Sequence, residues 1–229
     1  MSFLRRWDEL PKEIRNDAVK PYYESLKHKT ASLFLKRLFD LCVSLVLILL
    51  LSPVLVIIAV MIKCDSKGPV IFRQERVTQY GKIFEIFKFR TMYVHEDEST
   101  AQLTQKGDSR ITKVGHLIRK ARVDEFPQLF NVLVGDMSFV GTRPEVKSYV
   151  DAYTPEMYAT LLLPAGITSR ASIKFKDEDE MLAESTDIPK TYIEDILPIK
   201  MCYNLQDIRE FNIWNDIKIM WQTFLAVLM

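Results

Sequence analysis

From Leu41 to Ile62 the chain reads LCVSLVLILLLSPVLVIIAVMI, without one charged residue. No other feature restricts the fold so strongly. Soluble core helices are rarely that long, and a run of about 20 apolar residues meets the length needed to cross a bilayer. At about 1.5 Å per residue a straight helix over this run reaches roughly 33 Å, just enough to span. The run begins far from Met1, exceeds the apolar core of a signal peptide and has no small-residue cleavage site after it. A secretory leader is therefore a poor reading.

Two details bear on how the run meets a membrane. Ser52-Pro53 lies almost at its centre, and a proline removes one backbone hydrogen bond and clashes with the preceding turn. Lys27, Lys29, Lys36 and Arg37 precede the run, and Lys63 and Lys67 follow it. A spanning helix normally carries its basic excess on one side. Two arrangements fit: a spanning helix with a proline kink, or a helix that enters, breaks and returns to the same face. In the second, backbone groups freed near Pro53 need partners such as the Ser52 hydroxyl.

The rest of the chain is water-facing. Of 229 residues 27% are charged and 48% apolar, enough for a real core, and the net charge of +1 argues against a nucleic-acid binder driven by bulk electrostatics. Cys42, Cys64 and Cys202 are odd in number and lack CxxC spacing, which fits a reducing compartment and supports neither a disulfide framework nor a zinc site. The organisation reads as three parts: residues 1–35, an N-terminal arm that is either loosely ordered or a short helix lying on a membrane; 36–63, the membrane helix; and 64–229, the main body.

Within that body, VIFRQERV and KIFEIFKFRTM flank Thr78–Gly81 and predict a β-hairpin. Residues 95–112 read as an exposed polar loop, Lys113–Arg122 as a short basic helix, Val146–Leu163 as a helix broken near Pro155, and Thr191–Tyr203 as a helix interrupted at Pro198. Lys174–Glu180 is a charge run of the kind usually found on a solvated face. Near the C-terminus Trp214, Ile217, Trp221, Phe224, Leu225 and Leu228 share one helical face, suited either to a membrane interface or to core packing.

The candidate chemistry centres on Asp124-Glu125. Asp124 is placed to cap a helix whose first turn holds Glu125 and Pro127. A helix dipole there favours the ionised carboxylate, as a nucleophile or metal ligand requires; ordinary capping explains the same pair. Basic residues bracket the dyad: Lys88, Arg90, Arg119, Arg122 and Arg143. Arginine's planar fork matches phosphate oxygens bidentately, and GTRP around Arg143 suggests a tight turn presenting N–H groups to an anion. His28, His95 and His116 have neither metal nor triad spacing, and no Walker, GxGxxG or G-x-S-x-G pattern occurs.

Taken together, KRLFD, the apolar run broken at Ser52-Pro53, GPVIFRQERV, FKFRTM, ITKVGHLIRKARVDEFPQLFNVLVGDMSFVGTRPE, PAGITS and NDIKIM resemble the bacterial sugar transferases, the monotopic phosphoglycosyl transferases, from about Lys36 onward. The resemblance implies an α+β, mostly helical fold: a re-entrant membrane helix broken at Ser52 and Pro53, a catalytic domain on the cytoplasmic face of the bacterial inner membrane, a small β-hairpin and interfacial amphipathic helices. It implies an enzyme that moves a sugar phosphate from a UDP-sugar to polyprenyl phosphate, releasing UMP through a covalent phosphosugar on Asp124. Mg²⁺ is the implied cofactor, held by Asp124 and Glu125, with membrane lipid and downstream glycosyltransferases as further partners. Glu125 serves the metal or the acceptor's proton, a choice left open. Arg90, Arg119 and Arg143, with Lys88, are the implied phosphate ligands, and Asp216 in NDIKIM is an expected site residue.

The chain departs from the commoner pattern at GTRP, at DEFPQ and in SRASIKFKDEDEML, where Lys176 stands in for a basic residue near the expected sugar and uridine contacts. It is expected to be the small form, without a large N-terminal domain. Two alternatives remain: an inert membrane-anchored scaffold, indifferent to Asp124→Asn, and a peripheral glycosyltransferase, which would release UDP instead of UMP.

Overall fold

The computed structural model describes residues 4–94, 108–176, 178, 182 and 187–228. Its longest element, helix α2 (Thr30–Asp65), has 36 residues and follows a short α1 (Lys20–Lys27). By length and composition α2 is apolar enough to cross a membrane. It is helical through Ser52-Pro53, with Pro53 inside it, and reaches beyond the expected 36–63 segment at both ends. Pro53 cannot donate to the carbonyl four residues back, which is Leu49; the Ser52 hydroxyl donates to that oxygen instead, at 2.8 Å.

Both flanks of α2 dock on the same body. Before the apolar run, Lys36 Nζ donates to Val140 O at 2.8 Å, Arg37 donates to the carbonyls of Val132 and Leu133 at 2.7 and 2.8 Å, and Asp40 Oδ1 accepts from Phe139 N at 3.2 Å. Arg37 thereby adds donors at a helix end, where Val132 O also accepts from Gly135 N. At the end of the run Ile58 and Ile62 are buried with Phe89 and Ile118, and beyond it Asp65 Oδ2 accepts from Val114 N at 3.1 Å. Between these anchors Val46, Leu49, Leu50, Val56 and Ile57 stand exposed.

Strands β1 (Ile71–Val77) and β2 (Ile83–Phe89) pair antiparallel, from Ile71 opposite Phe89 to Val77 opposite Ile83, which is the hairpin expected from sequence. Its turn places Tyr80 and Gly81 at φ 59° and 75°. A second pair was not anticipated: β3 (Met137–Val140) and β4 (Ala165–Thr168) run parallel. Their chains meet at Gly141 and Gly166, where a Cβ on Gly166 would lie 2.1 Å from Gly141 N, so only glycine fits. Helices α3 (Lys113–Lys120), α4 (Gln128–Val134), α5 (Lys147–Val150) and α6 (Arg170–Lys174) surround these strands. Short α7 (Ile188–Thr191) leads through a π-helical turn into α8 (Leu197–Arg209), and α9 (Ile213–Leu228) ends the fold.

Several sequence expectations change. Residues 4–27 are not an arm: Leu10, Ile14, Val19, Tyr22 and Leu26 are buried in one cluster with Leu162, Leu197 and Met201. Only Lys147–Val150 and a 3-10 stretch, Met157–Leu162, are helical within Val146–Leu163. Pro198 opens α8 rather than interrupting a helix, since its missing N–H costs nothing in the first turn. On α9 the aromatic stripe stays outside the core: Trp214 and Trp221 are 75% and 61% exposed, while Ile219 and Asp216 face inward. Residues 95–107 of the expected polar loop, Lys174–Glu180 in part and the Leu228 side chain lie outside the described residues.

Candidate active site

The chain leaves α3 through Arg122, at φ 53°, and doubles back. Val123 N donates to Ile118 O at 3.1 Å, and Phe89 N, at the end of β2, donates to Asp124 O at 2.8 Å. Residues 124–127 form consecutive turns and α4 starts only at Gln128. Asp124 is therefore not the helix cap expected from sequence. The dyad is fixed from below instead, by Asn131 of α4. Its amide donates to Glu85 O at 2.8 Å and accepts from Phe87 N at 3.0 Å, locking α4 to β2.

That lock brings Lys88 of β2 over Glu125. Glu125 Oε1 accepts from Lys88 Nζ at 3.1 Å and from Arg143 Nη2 at 2.7 Å. Burial pushes the Glu125 carboxyl up, but the cations of Arg143 and Lys88 outweigh it and hold the group well below the usual carboxylate range. Arg143 is raised in turn by the charge of Glu125. Asp124 behaves oppositely: burial, then the neighbouring Glu125 charge, lift its carboxyl, against the pull of Lys88 and Arg119. Among the described residues no side chain hydrogen-bonds the Asp124 carboxylate. Two adjacent carboxylates thus differ in kind, one paired with two cations through Oε1 and one with no side-chain hydrogen bond among the described residues.

Both open onto a cleft of about 1830 Å³, lined by eleven lysines and arginines against four acids. Its apolar end is formed by Leu47 and Leu51 of α2, Ile173, and Thr223 and Ala226 of α9. Arg119 and Lys176 also line it; Arg119 Nε donates to Thr91 Oγ1 at 2.8 Å, and Lys176 is an exposed rim residue.

Two expected site residues have other work. Arg90 reaches the cleft wall, but its guanidinium donates to Lys67 O at 2.6 Å and to Ser66 O at 2.8 Å, clasping the C-terminal end of α2. Asp216 does not line the cleft. It pairs with Lys36 at 2.6 Å, side chains 11% and 6% exposed, and joins α9 to α2. Sequence reading missed a buried group lining the same cleft, Glu145, Tyr192 and Lys200. Only Glu145 carried a signal, following GTRP directly.

Among the described residues no three His, Cys, Asp or Glu side chains gather. The oxygen donors at hand are the two dyad carboxylates beside a basic cleft. This set fits Mg²⁺, which is commonly held by one or two carboxylates with substrate phosphates and water completing its shell.

The bacterial sugar transferase family matches the chain over residues 31–229. The chain is similar to the UDP-N-acetylgalactosamine-undecaprenyl-phosphate N-acetylgalactosaminephosphotransferase of Aeromonas hydrophila, 38% identical over 85% of this chain and 44% of that protein. It is also similar to the UDP-glucose:undecaprenyl-phosphate glucose-1-phosphate transferase of Klebsiella pneumoniae, 37% identical over 92% of this chain and 43% of the relative. A putative undecaprenyl-phosphate N-acetylgalactosaminyl 1-phosphate transferase of Bacillus subtilis is 40% identical over 58% of this chain and 75% of its own length. The chain thus spans less than half the length of the first two relatives.

Proposed function

Because this chain belongs to the bacterial sugar transferases, we propose that it transfers a sugar 1-phosphate from a UDP-sugar to undecaprenyl phosphate, releasing UMP. The observation that carries the chemistry is the split dyad. Glu125 is tied to Lys88 and Arg143, whereas the Asp124 carboxylate beside it has no side-chain hydrogen bond among the described residues and lines the cleft. In this reading an Asp124 oxygen attacks the β-phosphorus of the donor. The bond from that phosphorus to the oxygen bridging the α-phosphate breaks, and UMP departs with the electron pair. A phosphate oxygen of the lipid acceptor then attacks the same phosphorus, the bond to Asp124 breaks, and the carboxylate is restored with a polyprenyl diphosphosugar as product. A carboxylate nucleophile divides one difficult step into two and predicts ping-pong kinetics.

Phosphoryl transfer asks mainly for positioning and charge neutralisation. Lys88 and Arg143, held by Glu125, and Arg119 supply fixed cations for the diphosphate. Glu125 thereby acts as the positioning residue of the pair. Mg²⁺, held by Asp124 and Glu125, would supply Lewis-acid stabilisation of phosphoryl charge when bound. The apolar end at Leu47, Leu51 and Ala226 suits a prenyl chain entering from the membrane.

The same proposal sets α2 as a re-entrant, monotopic anchor in the bacterial inner membrane with the body on the cytoplasmic face. Support comes from both flanks of α2 docking on one body, from lysines on each side of the run, and from exposed Trp214 and Trp221 on α9. Downstream glycosyltransferases would consume the product.

The test is nucleotide release: protein in detergent, Mg²⁺, undecaprenyl phosphate and a panel of UDP-sugars, with Asp124→Asn as control. UMP that vanishes in the folded mutant is the expected result. UDP in place of UMP, or full activity in the mutant, would overturn the reading.

A further inference from the structure

One end of the cleft is chemically unlike the rest. Beyond Arg143, Tyr192 Oη donates to Glu145 Oε1 at 2.5 Å. Lys200 Nζ donates to Tyr192 Oη and to Glu178 Oε2, both at 2.9 Å. The Lys200 and Glu145 side chains are only 5% and 7% exposed, whereas Glu178 is 22% exposed. The rings of Tyr149 and Tyr192 lie 4.7 Å apart between centroids, and all five side chains line the cleft.

The network adjoins the reaction centre. Glu145 sits two residues after Arg143, and Arg143 feels the charges of both Glu145 and Glu178. A donor whose diphosphate lies against Lys88, Arg119 and Arg143 must extend an uncharged portion away from them. The two carboxylates are matched by Lys200 and Arg76, so the network offers no surplus cation for a further phosphate. A sugar ring presents hydroxyl donors, which carboxylate oxygens accept, and hydroxyl acceptors, which a lysine can serve.

Among the described residues each acid of the network is engaged through one oxygen, Glu145 through Oε1 and Glu178 through Oε2. Glu178 is the more exposed of the two, at the edge of the cleft. A buried ionic network gains little stability over apolar packing. Here it holds one partly exposed acceptor, Glu178, against Lys200.

We propose that the Glu145–Tyr192–Lys200–Glu178 network is the subsite for the donor's sugar ring, with Glu178 reading its hydroxyl pattern. This rests on the transferase reading above. Glu178 falls within the SRASIKFKDEDEML segment, so donor choice is a property of the stretch where this chain differs from the commoner pattern.

The experiment compares full-length wild type, Glu178→Gln and Tyr192→Phe in detergent with undecaprenyl phosphate. The donors are UDP-sugars differing at one ring position, such as UDP-glucose against UDP-galactose and each N-acetylated counterpart. Sites that hydrogen-bond a substrate hydroxyl discriminate strongly against analogues lacking it, so the kcat/KM ratio between preferred and disfavoured donors should fall about tenfold in Glu178→Gln. Tyr192→Phe, which removes only the hydroxyl linking Glu145 to Lys200, should lower it in the same direction. Inhibition by UMP, which carries no sugar, should not move.

An unchanged donor ratio in either variant, with thermal unfolding showing it folded, overturns the proposal while leaving the transferase reading intact. A parallel loss of UMP inhibition assigns the network to the nucleoside and also overturns it. No UMP release by wild type from any donor overturns the transferase reading, and this proposal with it.

Discussion

Lys36 is the sole cation hydrogen-bonded to Asp216 among the described residues, and Asp40 lies close enough to feel its charge. It pairs with Asp216 at 2.6 Å, both side chains nearly buried. Two acids thus face one buried cation, and the two ways of breaking the pair are unequal. Lys36→Met leaves the buried Asp216 carboxylate uncompensated and Asp40 with only Phe139 N, Ser138 and the charge of Arg37, which should cost about 3–5 kcal/mol, or a fall of roughly 6–20 °C in Tm for a chain of this size. Asp216→Asn leaves Lys36 balanced by Asp40 and removes one charged hydrogen bond, about 1.5–3 kcal/mol and roughly 3–12 °C. The pH dependence differs too. Burial holds Asp216 above the usual carboxylate range, with Lys36 pulling it down; without Lys36 it moves further up. A carboxyl whose folded pKa exceeds its unfolded one binds its proton more tightly when folded, so stability is lost as pH rises past the unfolded value. Lys36→Met should therefore be closer to wild type at about pH 5 than at about pH 8. Scanning fluorimetry in detergent across that range reads both effects. An Asp216→Asn loss equal to or larger than that of Lys36→Met would refute the reasoning. So would Asp216→Asn protein with unchanged Tm and no UMP release, which would return Asp216 to the reaction.

Asp124→Asn should abolish UMP release, by a factor of about 10³ or more, while leaving Tm within about 2 °C; paired activity and melting measurements check this. Glu125 lies below its ordinary pKa, so its stabilisation is present above the unfolded value near 4.5 and declines as pH falls through the depressed folded one. Glu125→Gln should accordingly be destabilised at neutral pH and converge on wild type in acid, as melting curves across pH would report. Since burial and Glu125 both raise Asp124, the acid limb of the pH–rate profile should stand above that of an ordinary aspartate. A limb at about pH 4 or lower would contradict that environment. Ser52→Ala should cost about 1–3 kcal/mol by leaving the Leu49 carbonyl unpaired in an apolar setting. Ser52→Ala with Pro53→Ala should recover it, because residue 53 regains its N–H; equal melting of the two in nanodiscs would count against this account.

The hairpin was legible because β-branched and aromatic runs flanking Thr78–Gly81 leave few other conformations. The gathering of Lys88, Arg143 and Glu125 was legible as composition, since basic residues cluster around one acid pair. Roles were not. Arg90 looks like any phosphate ligand until Ser66 and Lys67 carbonyls occupy it, and Asp216 looks like a site residue until Lys36 is found 180 positions away. Both depend on long-range partners that periodicity does not encode. The β3–β4 pair escaped notice because two four-residue strands lack length for an alternation signal, and their contact turns on Gly141 meeting Gly166. Residues 4–27 read as an arm because their buried positions are scattered; their partners in α8 arrive late in the chain.

That last separation bears on how the protein is made. Lys29 anchors to Phe211 O, 182 positions on, and the Tyr22 ring underlies the Arg209 guanidinium. A ribosome adding roughly 5–20 residues per second delivers α2 to the bilayer well before these partners exist. As the proposed membrane anchor, α2 must commit to its depth and direction while Lys36 and Arg37 are still hydrated and unpaired. Docking of its flanks then follows insertion, joining segments some 180 positions apart. Contacts so distant in sequence close slowly, so nascent chains should dwell as inserted, half-assembled species in which the N-terminal segment is still open to proteases.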